Sequence, residues 1–232
     1  MSYEEDSYKQ TFSTRVKEVT GQGVILEETY FYPSGGGQPG DSGALETTEN
    51  TYEVRKARRQ DGQVIHQIKN HSLQPGDEVQ ATIDWRKRYQ LMRMHTAAHV
   101  ISAVLARDEE AQITGNQLGV EESRIDYDLQ DYDAKRIASY EKLINEELAK
   151  NHAITTDTLP RQEAQKQLKK LSNLAMGLPK HIRHVRLVTI GDLDVQACAG
   201  THVKNTQEVG RVTFVRAKNK GKNNRRIYFS LS

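Results

Sequence analysis

The chain of 232 residues has a single cysteine, Cys198. An intramolecular disulfide is therefore excluded, and the thiol is a small buried apolar group, a reactive group or a metal ligand. Long apolar runs are also missing. The longest span a few residues, such as Val24–Leu26, against the roughly 20 that a membrane helix needs. Neither charge sign dominates: the formal net charge is +2, so total charge does not announce a nucleic-acid partner. Met1–Glu5 is polar and acidic and shows none of the apolar core of a secretory signal, which makes the cytoplasm the expected compartment. What is present is 36% hydrophobic and 28% charged residues, the composition of a polar globular chain and not of a disordered one. The length suits one large domain or two modest ones.

Charge is clustered locally. Arg55, Lys56, Arg58 and Arg59 form one basic group, Arg86, Lys87, Arg88 and Arg93 a second, and Lys218, Lys220, Lys222, Arg225 and Arg226 a third. Acidic residues collect at Asp108–Glu110 and Asp126–Asp133. Such segregation is compatible with a basic face for a phosphate backbone and equally with solvated surface charge.

Residues 8–83 read as short strands and turns. Phe12–Val19 and Gly23–Glu28 flank one turn, Thr51–Arg58 and Gln63–Ile68 flank the hairpin signal Asp61-Gly62, and Pro75-Gly76-Asp77 precedes a strand at Glu78–Ile83. Regularly spaced short strands predict a small β-barrel. Phe31–Gly43 breaks the pattern with too many glycines for a strand interior, and must be a loop. At Asp84 the texture changes. Asp84 can cap a helix to about Arg107, with Leu91, Met94, Ala98, Ile101 and Leu105 as an apolar stripe on one face. Strands are expected at Gln112–Leu118 and Glu122–Asp128, a second helix at Asp133–Asn151, a strand at Ala153–Thr158 and a third helix opened by Pro160. His181–Ile190, Glu208–Arg216 and Arg225–Ser230 read as strands. The overall reading is α+β, with a β-barrel domain over 1–84 and an α+β domain over 85–232.

His95 and His99 are four residues apart on the expected helix, which puts both imidazoles on one side, within reach of a single metal. Cys198 and His202 form a second pair with the same spacing. Thiolate plus imidazoles is a natural zinc set. Spacing alone leaves two readings open, a metal site or satisfied core and surface histidines. With only one thiolate and about a hundred residues between the pairs, any site is a cleft between elements and not a structural knuckle. The helix reads His-Thr-Ala-Ala-His, so the general-base glutamate of zinc proteases is missing and that chemistry is rejected. In the glycine-rich stretch, Gly35, Gly36 and Gly37 offer backbone amides that could cradle a phosphate, with Gln38 at the tip facing a partner. The alternative is a plain turn between strands. No Gly-Lys-Ser/Thr ending follows, which argues against a nucleotide triphosphate cofactor.

At these segments the chain resembles the AlaX family of free-standing alanyl-tRNA editing proteins, and the editing domain of alanyl-tRNA synthetase. The resemblance runs through Phe31–Gly43, through Asp84-Trp85-Arg86 and Arg93-Met94-His95-Thr96-Ala97-Ala98-His99, through Cys198-Ala199-Gly200-Thr201-His202-Val203, and through Lys220–Tyr228. The Gly-Gly-Gln loop is similar to that of the medium-length class. The resemblance implies an N-terminal barrel joined to a threonyl/alanyl-type editing domain. It implies zinc held by His95, His99, Cys198 and His202. The implied activity is hydrolysis of the ester in Ser-tRNA(Ala), with Gly-tRNA(Ala) as a second candidate. Gln112, Thr114, Gly200 and Thr201 would line the amino-acid pocket. A role in holding tRNA(Ala) would fall to Gly35, Gly36, Gly37, Gln38, Arg86, Arg88, Arg93, Lys220, Lys222, Arg225 and Arg226. The family pattern has glycine where this chain has Ala199, a methyl group that would narrow the pocket or tilt an amide. Two rivals stand beside this reading: a zinc-containing RNA-binding module without catalysis, and a zinc hydrolase for another aminoacyl ester. Turnover separates the first from an editing enzyme, and substrate competition the second.

Overall fold

The computed structural model describes residues 2–129, 134–171, 183–221 and 224–232. The chain divides into two compact units, Met1–Leu91 and Met92–Ser232.

The first unit opens with a helical turn, α1 (Ser2–Glu5), and then runs through β1 (Thr11–Thr20), β2 (Gly23–Leu26), β3 (Gly43–Glu46), β4 (Thr51–Val54), β5 (Lys56–Gln60), β6 (Gln63–Gln67) and β7 (Glu78–Ile83). They form one antiparallel sheet in the order β4-β3-β7-β1-β2-β6-β5. β1 pairs with β7 through Thr11–Arg15 and with β2 from Val16 onward, with a register shift between Val16 and Glu18. The expected strand Thr51–Arg58 is two strands broken at Arg55, so both ends of the sheet belong to one stretch of chain. Among the described residues no ladder joins β4 to β5, and the expected closed barrel is instead an open sheet. Its buried face is built from alternate residues such as Phe12, Val16, Val24, Leu45, Val64, Val79 and Ala81. β3 was not legible, because Ala44 and Leu45 alone carry no alternation.

The second unit contains most of α2 (Trp85–Glu109), followed by β8 (Ile113–Gln117), β9 (Ser123–Tyr127), α3 (Ala134–Ala149), β10 (Ile154–Pro160), α4 (Arg161–Leu171), β11 (His184–Ile190), β12 (Asp194–Ala197), β13 (Val212–Gly221) and β14 (Asn224–Leu231). One sheet has the order β13-β14-β9-β8 and a second β10-β11-β12. α4 buries Ala164 against Val185, Leu187 and Val195 of the smaller sheet. Thr206–Val209 is a 3-10 turn, so the expected strand from Glu208 starts only at Val212. Pro160 ends β10 and the helix begins one residue later, at Arg161. Asp133, the expected first residue of the second helix, lies outside the described residues.

α2 begins where its cap predicts: the Lys87 amide donates to Asp84 Oδ1 at 3.2 Å. It departs from the expected one-sided stripe, because every residue from Met94 to Ala106 is buried. Small side chains at Ala97, Ala98, Ser102 and Ala103 let neighbours approach from all sides. The Ser102 hydroxyl is satisfied by the Ala98 carbonyl (2.7 Å) and by the Tyr127 hydroxyl (2.8 Å). The first turns of α2, as far as Leu91, fall in the first compact unit. Trp85 stacks on Tyr89 with ring centroids 5.4 Å apart, and Tyr8 packs on Trp85 at 5.6 Å.

Candidate metal centre

The middle of α2 presents His95 and His99 one turn apart, and the segment after β12 brings Cys198 and His202 to them. All three histidines are buried, and the four donor atoms lie within 4.8 Å of one another. Cys198 Sγ is 3.5 Å from His95 Nε2 and 3.4 Å from His202 Nε2. A tetrahedral zinc with usual Zn–S and Zn–N bonds sets ligand–ligand edges of ~3.3–3.6 Å, so the two sulfur–nitrogen separations fit a shared ion.

Three of the four donors are oriented by different parts of the fold. His202 Nδ1 meets the Thr96 hydroxyl at 3.1 Å, and the Val203 amide donates to that oxygen at 3.4 Å. His99 Nδ1 lies 3.6 Å from Oδ2 of the buried Asp194, on β12. The Gly200 amide donates to Cys198 Sγ at 3.3 Å. Such outer contacts fix ring tautomer and direction in metal sites. Burial alone would raise the Cys198 thiol, but the facing His95 and His202 imidazoles hold it well below the usual thiol range. Burial pushes His202 down to about 3, assisted by the charge of His95. Burial opposes the His99 charge too, yet Asp194 and Cys198 together carry it up to about 9. The net electrostatics favour thiolate, the form that ligates.

Thr96 and Asp194 were missed by sequence reasoning. Thr96 lies between the two helix histidines and carries no motif of its own. Asp194 sits in a four-residue strand too short to show alternation. Of the pocket candidates, Gln112 and Thr114 are exposed on or next to the edge strand β8, where Thr114 Oγ1 accepts from Asn224 Nδ2 at 3.1 Å. Gly200 and Thr201, next to the ligands in sequence, are buried, and Ala199 is exposed.

The expected RNA contacts divide. Gly35, Gly36, Arg86 and Lys220 are exposed, Gly37 and Arg225 partly so, and Lys222 lies outside the described residues. Gly36 and Gly37 have φ of 56° and 84° and form a tight turn closed by reciprocal Gly35–Gln38 backbone bonds of 3.1 and 2.9 Å. Gln38, expected at the tip of this turn, is 1% exposed. Arg88 is no surface cation. It is fully buried, its Nε donates to both Asp41 oxygens at 3.0 and 2.9 Å, its Nη2 also reaches Asp41, and its remaining donors go to the Ser7 and Tyr30 carbonyls. Arg93 is drawn to main-chain carbonyls of Glu208, Val209 and Ser232. Arg226 is held by Asp126 through two bonds of 2.6 and 2.7 Å. A one-letter run of basic residues does not distinguish charges that lock the fold from charges left for a ligand. The acids that claim Arg88 and Arg226 lie 47 and 100 residues away.

Two family profiles match. Residues 5–87 fit "tRNA synthetases class II (A)", and residues 185–228 fit "Threonyl and Alanyl tRNA synthetase second additional domain". The chain is 43% identical to "Alanyl-tRNA editing protein AlaX-M" of Methanosarcina mazei, over 97% of this chain and 94% of the relative. It is 36% identical to the protein of the same name in Saccharolobus solfataricus, over 99% and 97%. It is also 34% identical to "Alanine--tRNA ligase" of Pyrococcus abyssi, over 93% of this chain but only 24% of that enzyme. Identity at this level, running nearly end to end in the two editing proteins, with the second additional domain over the Cys198–His202 pair, places the chain in the AlaX-M family of alanyl-tRNA editing proteins.

Proposed function

We propose that this chain hydrolyses the ester bond of mischarged tRNA(Ala), chiefly Ser-tRNA(Ala) with Gly-tRNA(Ala) as a second substrate, and that His95, His99, Cys198 and His202 hold a zinc ion for that reaction. The supporting observation is the convergence of four donors within 4.8 Å, with Cys198 at zinc-like separations from His95 and His202, in a chain of the editing family. Zinc, when bound there, would supply Lewis-acid chemistry to an ester that is already reactive.

The protein's own residues have the task of placement and discrimination. A pocket built for alanine cannot strongly reject serine, which adds one hydroxyl, so a second site must recognise that hydroxyl. Thr114 fits this role: its oxygen accepts from Asn224, which leaves its proton to donate to a serine side chain. Gln112, exposed just before β8, offers a second amide. The cations proposed for the acceptor stem are those the fold leaves exposed, Arg86 and Lys220, with the Gly35–Gly37 turn as a backbone contact. Phosphate contacts of this kind make tRNA affinity fall steeply with salt.

The decisive experiment compares deacylation of Ser-tRNA(Ala) and Ala-tRNA(Ala) at catalytic protein concentration. Rapid loss of serine with alanine retained is the expected outcome. Stable esters in both cases would refute the hydrolase and leave an RNA-binding module.

A further inference from the structure

We infer that Arg186, on β11, is a positioning residue for the metal loop, acting on the carbonyls either side of the amide that holds the Cys198 sulfur. This rests on the reading that the four donors bind zinc. The backbone carbonyl of Arg186 accepts from the Cys198 amide at 3.1 Å, which continues the strand pairing up to the cysteine. The side chain then reaches beyond the last paired residue. Its Nη1 donates to the Cys198 carbonyl at 2.8 Å and to the Gly200 carbonyl at 3.0 Å. Those two carbonyls belong to the peptide planes that flank the Ala199–Gly200 peptide, and the N–H of that middle peptide is the one aimed at Sγ, 3.3 Å away. One cationic nitrogen therefore sets two peptide planes and, through them, the direction of the third.

Two features make this more than a loop staple. Cys198 and Gly200 belong to a segment without regular secondary structure, so no ladder fixes these planes. A loose Cys-x-x-x-His segment would also misplace two of the four ligands together, because Cys198 and His202 both lie on it. Arg186 Nε is buried and has no partner among the described residues, so Nη1 is the part of this guanidinium seen gripping the loop. A charge-assisted pair of bonds to main-chain carbonyls suits such a hinge, and the guanidinium supplies two donors on one nitrogen at fixed angles.

The test is zinc affinity measured by chelator competition on the full chain, with the cobalt-substituted thiolate absorption as a second readout. Replacing a supporting residue of a metal site typically lowers affinity 10–100-fold, and Arg186→Met is expected to fall in that range. Arg186→Lys, which keeps the charge but not the fork, is expected to fall between Met and wild type. Arg183→Met removes the same charge from an exposed neighbour and is expected to change nothing. The cobalt band of Arg186→Met is expected to shift or weaken, because the sulfur is no longer aimed. Wild-type affinity in Arg186→Met overturns the inference, as does an equal loss in Arg183→Met, which would reduce the effect to net charge. If Arg186→Met fails to fold without metal, Arg186→Lys decides, and wild-type affinity there overturns it. A wild-type chain that binds no stoichiometric zinc overturns both this inference and the zinc reading, whereas zinc binding without serine release would touch only the proposed substrate.

Discussion

His66 in the first unit and His202 in the second are both buried, and each has one ring nitrogen against a threonine hydroxyl. Their other nitrogens differ. His66 Nδ1 meets the Val24 carbonyl at 3.2 Å and Nε2 meets Thr29 Oγ1 at 2.8 Å, so both are committed to the protein. A carbonyl only accepts, so Nδ1 carries the proton and Nε2 accepts from the threonine. His202 gives Nδ1 to Thr96 and turns Nε2 toward Cys198, in company with His95 and His99 at ring centroid distances of 4.4 and 4.6 Å. Burial alone therefore does not mark a ligand. A core histidine closes both of its bonds locally, and a ligand closes one and directs the other to a point shared with other donors.

The sharpest way to break this contrast is to remove one histidine from each place. His95→Ala should abolish stoichiometric zinc and bring Ser-tRNA(Ala) deacylation to the uncatalysed rate. His66→Gln, assayed below its melting temperature, should retain both. Full hydrolysis by a zinc-free His95→Ala protein would sink the metal reading, and loss of zinc in a folded His66→Gln protein would erase the distinction between the two settings.

Next in size is the buried ion pair of the first unit. Asp41→Ala leaves the Arg88 guanidinium fully buried without its carboxylate, at a cost of about 3–5 kcal/mol in urea unfolding. The double variant Asp41→Ala with Arg88→Met should be less destabilised than the single one, because no buried charge is left alone. A single variant with a cost below that of the double would show that the pair does not act as a unit.

Arg88 also shows where reading the sequence succeeds and fails. The helix, its Asp84 cap and the His95/His99 pair were legible because local spacing encodes them. So was the loop of Phe31–Gly43, which holds as far as Ser42 before β3 begins, since four of its glycines fall within six residues. The partners were not legible. Arg88 lies one heptad before His95, on the same side of α2, and that placement on a buried face was the available signal that it is no surface cation. Its acid, Asp41, sits inside the glycine-rich loop and accepts from the Tyr32 amide as well, at 2.6 Å. Asp194, Thr96 and Arg186 were invisible for the same reason: their roles arise from approach in three dimensions, through residues too common and elements too short to signal. The open edge between β4 and β5 turns on one residue, Arg55, which alternation passes straight through.

A smaller effect is the acid response of His66. Burial lowers it to about 4 from an ordinary 6.5. Between those values the unfolded chain takes up a proton that the fold refuses. Its contribution is thus complete above pH 6.5 and is lost as pH falls toward 4, by about 3 kcal/mol in all. Unfolding free energies measured across that window should have a steeper slope in the wild type than in His66→Gln, by up to about 1.4 kcal/mol per pH unit. Parallel slopes would mean that His66 is not held neutral.

The finest test exchanges the same atom in both units. Thr29→Val and Thr96→Val each replace the hydroxyl facing a histidine with a methyl of similar size. Thr29 also accepts from the Phe31 amide at 3.1 Å, so its loss leaves Nε2 of His66 and one amide without that partner in a part-buried setting. The expected cost is about 1–3 kcal/mol of stability, with zinc affinity unchanged. Thr96 receives the Nδ1 proton of His202 when Nε2 is turned to a metal, so its loss lets the ring rotate and lowers zinc affinity about 10–100-fold. Thr96→Val also frees the Val203 amide, so both variants should register in denaturant, and only Thr96→Val in chelator competition. If both register only as stability, the threonine on α2 is a packing residue like its counterpart, and the orientation of His202 must come from the Cys198–His202 loop alone.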